Sequence, residues 1–591
     1  MEHLHKLAKR NQEQRFSHLW KNVISEAWLA QAWEEIRKNT GSQTPGVDKR
    51  TADDIDLDRI RHLSKALHAG KYRPKPVRRV YIPKSNGKLR PLGIPTIEDR
   101  IVQQALRMVL EPIFEADFRP YSHGFRQGHS PHTALRDVNR MYPRVSWVIE
   151  GDIVGCFDNI PHNGLLKAVA RRIADGRILS LVSAFLKAGY MESWQFHRTY
   201  SGTPQGGIIS PLLCNIFLHQ LDDYMEHLGA NKVQTKKEQN QRRNPAHVKI
   251  DRAIYKRRVK LRGNPDRQVR KELLDTIKEL EKEKRQIPYF ESRHQSKLGY
   301  VRYADDFVIL VNGTKQEAHD YKDKIQRHLE SMGLTLSGEK TKITHWSKPI
   351  SFLGYHIQGK LRAKGVQIKA ALTIPKEKER LIRRDLLKAS RYYHIPELDA
   401  MFNISAKFRG WCNYYKYAHS PQVVFNRLGH KTWWFFANFL AKRHKTSIKK
   451  LLISATKAGK YKVVHKENRK RKTFTSLVGK REYHLDIFPP KTASLHAVTT
   501  KTSWEVDLKP VTPGNWMTGR SATTQLTALA RSEGICERCG TNPAHHVHHR
   551  NRMKSKGGPL ARIVSDKDQR ERAVALCKEC HLEMHQGTWQ R

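Results

Sequence analysis

Asp305 and Asp306 stand side by side within Tyr300 to Val311, a stretch that is otherwise strand-like and mostly apolar. Few folds tolerate this, because adjacent like charges repel and apolar flanks deny them water unless cations neutralise them. The layout fits a hairpin with Tyr303-Ala304-Asp305-Asp306 at its tip. A second strand candidate, Val145 to Ile149, delivers another carboxylate, Asp152, to the point where the chain leaves the sheet. Three carboxylates converging at strand ends are a ligand set for a pair of Mg²⁺ ions, one activating an attacking hydroxyl and one stabilising a leaving phosphate. The run Gly202-Thr203-Pro204-Gln205-Gly206-Gly207-Ile208-Ile209-Ser210-Pro211 adds small residues that let backbone approach a bulky ligand closely.

Charge narrows the ligand class. Lys and Arg number 109 against 57 Asp and Glu, a formal +52 over 591 residues. A free monomer with that charge repels itself, whereas a polyanion gains from each Lys or Arg that displaces a condensed counterion from a phosphate. A membrane surface would also attract such a chain. No window holds the roughly 18 uninterrupted apolar residues of a membrane span. Met1-Glu2-His3-Leu4-His5-Lys6 does not have the character of a secretory signal. The expectation is a soluble, intracellular protein with nucleic-acid partners and no membrane, divided into several structural units.

The N-terminal stretch to about residue 58 reads as helical, with Leu19, Trp20, Ile24, Ala27 and Trp28 on one face and a Gly- and Pro-containing break at 41–46. A hairpin is predicted from Val80-Tyr81-Ile82 through Ser85-Asn86-Gly87-Lys88 to Leu89–Ile94, followed by a helix over 98–114. Residues 233–298 carry 20 basic against 9 acidic residues, with Val269, Leu273, Ile277 and Leu280 at helical spacing. This cationic insertion reads either as a solvated arm or as an RNA-backbone contact. Aromatic-rich helices follow over about 370–460, then a basic tract of poor apolar periodicity, then a Pro- and Thr-rich linker over 489–515.

Tyr-Ala-Asp-Asp at 303–306, the strand end from Asp152 to Asp158, and Thr203-Pro204-Gln205-Gly206-Gly207 with Ser210-Pro211 together resemble a reverse transcriptase of the group II intron type. Arg90-Pro91-Leu92-Gly93-Ile94-Pro95, Gly333-Leu334-Thr335-Leu336, Glu339-Lys340-Thr341-Lys342 and Phe352-Leu353-Gly354-Tyr355 continue that family's blocks in its order, over roughly 40–360. The resemblance implies an α+β multidomain chain with a right-hand polymerase: fingers and an antiparallel palm sheet in 1–365, and an α-helical thumb or maturase domain at 370–460. Phe408-Arg409-Gly410-Trp411-Cys412-Asn413-Tyr414-Tyr415 matches the latter loosely. It also implies Asp152, Asp305 and Asp306 as catalytic ligands of two Mg²⁺ ions, and Lys84 and Arg90 as holders of the incoming triphosphate. Phe157 matches the bulky position that excludes a 2′-hydroxyl, Gln205 a residue beside nucleotide and template, and Lys340 a residue near the phosphates. A DNA-binding region and linker would fill 461–530.

The tail carries two C-x-x-C pairs, Cys536 with Cys539 and Cys577 with Cys580, spaced for a closed structural Zn²⁺ site of four thiolates. In so short a segment the metal would supply the folding energy. Together with Val547-His548-His549 and His581-Leu582-Glu583-Met584-His585, residues 531–591 resemble an HNH endonuclease of the ββα-metal type. That resemblance implies His548, His581 and His585 as ligands of a divalent ion, Mg²⁺, and His549 as the general base. A zinc ribbon that only binds DNA is the alternative. Arg572 stands where the HNH family often has Asn, and His545-His546 offers a competing register.

The order of these segments resembles a group II intron-encoded protein, with intron RNA, double-stranded target DNA and dNTPs as partners; a homodimer is compatible with it. Such a protein assists splicing, nicks DNA and copies the intron from the freed 3′-hydroxyl. A retron-type or diversity-generating reverse transcriptase and a non-catalytic splicing factor are the competing readings.

Overall fold

The computed structural model describes residues 1–83, 87, 89–192, 195–199, 201–203, 206–231, 245–263, 266–286, 298–361, 368–454, 464–468, 471–478, 481–500, 546–549 and 573–576. Among them, no helix is long and apolar enough to cross a membrane.

The predicted hairpin is present as β1 (Val77–Pro83) and β2 (Leu89–Ile94), with Ile82 opposite Arg90. Strands β4 (Tyr190–Glu192) and β5 (Gln195–His197) extend it in the order β2-β1-β4-β5. The palm is an antiparallel sheet of β3 (Trp147–Asp152), β6 (Leu298–Tyr303), β7 (Asp306–Val311) and β8 (Lys342–His345), ordered β6-β7-β3-β8.

Two cores explain why the palm strands read as continuous apolar runs. Side chains alternate across a strand, so each strand can serve both faces. Ile149, Tyr300, Phe307, Ile309 and Val311 enter one core with the helices Ile97–Glu115 and Ser210–His227. Val148, Val301, Val308 and Leu310 enter a second core with the thumb helices. The helix Ile97–Glu115 begins where Thr96 Oγ1 accepts from the Asp99 amide, a side-chain cap.

The thumb region consists of the helices Lys376–Ala389, Glu397–Tyr415, Pro421–Arg443 and Ile448–Ser454. Phe408, Cys412, Phe425, Phe436 and Phe439 are its buried seam. A small sheet of β9 (Ile350–Phe352), β10 (Tyr355–Leu361) and β11 (Ile368–Thr373) joins palm to thumb. The cationic insertion holds two helices, Pro245–Arg262 and Arg267–Gln286, closed on each other by Ile250, Ile254 and Ile277.

Two downstream segments have structure that their sequences do not announce. The basic tract is ordered as β12 (Val464–Asn468), β13 (Arg471–Val478) and β14 (Arg481–His484), an antiparallel sheet whose Phe474 is buried among the thumb helices. Residues 485–500 are packed and do not act as a spacer. The Asp486 amide donates to Ser405 Oγ at 2.9 Å, Arg409 pairs with Asp486 at 3.1 Å, and Arg136 donates to the Val498 carbonyl at 2.8 Å. Leu485 and Leu495 anchor this strap in the second core, too far apart to leave a periodic signal. The remainder of the predicted linker, from 501, lies outside the described residues.

Candidate active site

Tyr303 pairs with Asp306 across β6 and β7, leaving Ala304 and Asp305 as a two-residue hairpin loop. Ala304 has φ +57°, the left-handed position that such loops demand and that normally falls to glycine. The turn is seated against Gly124, where a Cβ would lie 2.2 Å from the Ala304 nitrogen. On β3, Asp152 is the direct cross-strand partner of Asp306. Gly151 makes this possible, since a Cβ there would strike the Phe307 ring at 2.2 Å. Beyond Asp152, Gly155 at φ +50° turns the chain out of the sheet into the short helix Cys156–Asn159.

The three acids from two distant segments therefore share one end of the sheet. Burial and then repulsion from Asp305 and Asp152 push the Asp306 carboxyl up to about 7, although part of its side chain still meets solvent. Asp305 is raised by burial and by Asp152, with Arg90 and Lys340 acting in the opposite direction. Lys340 Nζ donates to Asp152 Oδ2 at 2.8 Å, an exposed ammonium standing where a metal ion would compete.

Among the described residues, no three His, Cys, Asp or Glu side chains form a ready-made metal cage. The donor set nevertheless fits Mg²⁺. That ion is typically held by one or two carboxylates plus substrate phosphates and waters, and a carboxyl cluster that retains a proton near neutrality is one a divalent cation would relieve.

The proton on Asp306 has a testable consequence. Its folded pKa lies above the unfolded 3.8, so ionising it costs stability, and the cost grows as pH rises from about 4 through about 7. Metal-free protein should lose melting temperature between about pH 5 and about pH 8, and Mg²⁺ should restore more of it at the higher pH. Calorimetry with Mg²⁺ or EDTA checks this, and Asp306→Asn should shrink the Mg²⁺-dependent part.

Three further sequence blocks meet at the same end of the palm. A Cβ on Gly202 would lie 2.6 Å from the Asp158 carbonyl, and one on Gly206, at φ +111°, 2.4 Å from the Gly93 carbonyl. Gly202 thus lies tight against the turn that holds Phe157, and Gly206 against strand β2. The Thr203 amide donates to the Phe157 carbonyl at 2.6 Å. The Phe157 ring is half-buried, edge-to-face with Phe125 at 6.2 Å. Arg90 is exposed on β2, near enough for its charge to act on Asp305.

Behind the acids, Leu353 and Gly354 form the β9–β10 loop at φ +47° and +74°. Tyr414 and Tyr415 hydroxyls donate to their carbonyls at 2.7 and 3.0 Å. Those residues line an open cleft of about 360 Å³ with Lys378, Asp385 and Trp411, joining the thumb block to the palm.

Of the sequence-derived site residues, the structure gathers Asp152, Asp305, Asp306, Arg90 and Lys340, while Phe157 lies in the turn after β3 against Phe125. Lys84, Gln205, Cys536, Cys539, Cys577, Cys580, His581 and His585 lie outside the described residues, and for His548 and His549 only the backbone is described. Sequence reasoning missed Gly124 and Arg302, both in contact with the turn. A charged residue inside an apolar strand one position before Tyr303 was the available signal for Arg302.

Comparison with known proteins agrees with this geometry. The profile of the reverse transcriptase (RNA-dependent DNA polymerase) family matches residues 82–234 and 274–357, and that of the group II intron maturase-specific domain matches 385–454. The group II intron-encoded protein LtrA of Lactococcus lactis subsp. cremoris is 32% identical, over 98% of this chain and 98% of its own. Protein YkfC of Escherichia coli is 37% identical over 62% of this chain and 89% of its own. The putative COX1/OXI3 intron 1 protein of Saccharomyces cerevisiae is 28% identical over 95% and 68%. With polymerase strands, acids and thumb in place and a relative matched end to end, the chain belongs to the group II intron-encoded proteins, as a reverse transcriptase joined to a maturase domain.

Proposed function

We propose that this chain works in a particle with its intron RNA, assists the splicing of that RNA, and copies it into DNA from a primer end that the C-terminal module exposes by nicking. The observation that carries the copying role is the register of the palm: Asp152 opposite Asp306, with Asp305 in the turn between β6 and β7. Mg²⁺ bound there would activate the primer 3′-hydroxyl and offset charge developing on the leaving pyrophosphate.

The chain's own residues do the rest. Asp152, Asp305 and Asp306 hold the metals. Lys84 and Arg90 grip the triphosphate, Lys340 exchanges Asp152 for phosphate oxygens, and Gln205 lies beside the base pair. Phe157 closes the space that a 2′-hydroxyl needs. Phe157→Val should therefore raise ribonucleotide incorporation relative to dNTPs by at least ~10-fold, read in single-nucleotide extension assays. An unchanged ratio would remove Phe157 from the sugar site.

The nicking role is supported by β15 (His546–His549) pairing antiparallel with β16 (Ala573–Leu576). His549 lies opposite Ala573, so the strand of the candidate base adjoins the strand leading into Cys577. In this reading Cys536, Cys539, Cys577 and Cys580 hold a structural Zn²⁺. His548, His581 and His585 hold a divalent ion, and His549 activates water. The basic hairpin 245–286 and the β12–β14 region supply phosphate contacts to RNA and DNA. Expression with the flanking DNA tests the whole reading. Excised lariat RNA should co-purify, and the particle should nick and then extend a DNA target with dNTPs; a small structured RNA in its place would favour a retron.

A further inference from the structure

Arg302 is the last residue but one before the catalytic turn and has no exposed surface. A guanidinium has five N–H groups, and here all have acceptors. Nε and Nη2 donate to the two oxygens of Asp222 at 2.8 and 2.6 Å, and Nη2 also to Ser122 Oγ at 2.7 Å. Nη1 donates to Asn215 Oδ1 at 3.0 Å and to the Ala304 carbonyl at 2.9 Å. The last of these is in the turn itself.

The other partners hold the wall against which the turn leans. Asn215 Nδ2 donates to the Gly124 carbonyl at 2.7 Å, and Gly124 is the residue packed directly on Ala304. The Arg302 amide donates to the Tyr121 carbonyl and the His123 amide to the Arg302 carbonyl, both at 2.9 Å. Tyr300 donates to Asp222 Oδ1 at 3.0 Å. Burial alone would raise the Asp222 carboxyl, but Arg302 outweighs it and holds it at about 2, so the pair stays ionised.

A wholly buried ion pair is a poor way to stabilise a fold, since an apolar pair of similar volume often does as well or better. An apolar pair cannot hold the Ala304 carbonyl. Ala304 is strained at φ +57°, and a strained turn persists only where its surroundings over-determine it. We propose that Arg302, locked by Asp222, Asn215 and Ser122, is a positioning residue for polymerisation: it fixes the Ala304–Asp305 peptide plane and so the direction in which Asp305 and Asp306 present their carboxylates. This rests on the reading of those two acids as the metal-holding pair.

The test compares Arg302→Lys, the double variant Arg302→Met/Asp222→Leu, Asp305→Ala and the unaltered chain. Each is measured for melting temperature, for kcat and dNTP KM in primer extension, and for the Mg²⁺ concentration giving half the maximal rate. Lysine keeps the charge but cannot reach all four partners. Arg302→Lys should lower kcat by about 100-fold with dNTP KM within about threefold, and should raise the Mg²⁺ requirement. The double variant should stay folded, because it removes both buried charges together, and remain as slow. The proposal is overturned if Arg302→Lys is folded with unaltered kcat and Mg²⁺ requirement, or if the double variant regains full kcat along with its stability. If Asp305→Ala itself extends primers normally, the assignment of the palm acids fails, a result distinct from either of those.

Discussion

A chain carrying Asp305→Ala should extend a DNA primer on an RNA template slower by about three orders of magnitude or more, with primer–template affinity within about twofold. The acid sits in the two-residue loop between β6 and β7, beside Asp306 and across from the end of β3. Its removal would take away one of the three proposed oxygen donors and part of the repulsion that raises the Asp306 carboxyl. Asp306 then ionises more readily, but Asp152 stays paired with Lys340, so the charge cluster that attracts a divalent ion is dispersed. Asp305→Asn preserves shape and should be nearly as slow, which separates a charge effect from a packing effect. Single-turnover extension with saturating Mg²⁺ and dNTPs checks both variants. Extension by Asp305→Ala at the unaltered rate would falsify the assignment of copying chemistry to this end of the palm.

The second large effect is expected at the opposite end of the chain. His549→Ala should cut the rate of target-strand nicking by roughly 10²–10⁴-fold, the range for loss of a general base, while primer extension stays unchanged. The two proposed activities should separate because the residues proposed for nicking follow residue 530 and the palm acids precede 310. Nicking and extension measured on one preparation give the answer. Loss of both activities would indicate misfolding, and a DNA-binding ribbon without a nuclease would show no nicking even in the unaltered chain. Chelation should be graded in the same way: EDTA should stop extension at once, whereas a closed, structural four-thiolate site, if Cys536, Cys539, Cys577 and Cys580 form one, should release Zn²⁺ slowly.

Much of the palm was legible because its chemistry is local. Asp305 and Asp306 are adjacent, the Asn86-Gly87 pair lies between two β-rich runs, and the acids interrupt otherwise apolar strands. Each is a short-range signal, and the hairpins β1–β2 and β6–β7 appear where those signals place them. The strap at 485–500 was not legible. Its anchors Leu485 and Leu495 pack without period, and Pro and Thr content is the same in a free linker and in an extended segment held by neighbouring helices. The sheet β12–β14 was hidden for a related reason. Its strands are rich in basic residues, which leaves no apolar alternation to read.

The sequence by itself determined which groups carry charge and which blocks stay in order: paired aspartates behind apolar strands, a glycine-rich segment before them, and a cationic chain suited to phosphates. Covalent neighbours and composition settle such features. Only the tertiary structure decided which distant groups meet. It set Asp152 opposite Asp306 from 154 residues away, placed Lys340 on Asp152, and buried Arg302 with Asp222 under the turn. Those meetings depend on sheet register and on the close approaches that Gly124, Gly151 and Gly202 permit. Register and close approach are properties of packed surfaces, and no single stretch of chain encodes them alone.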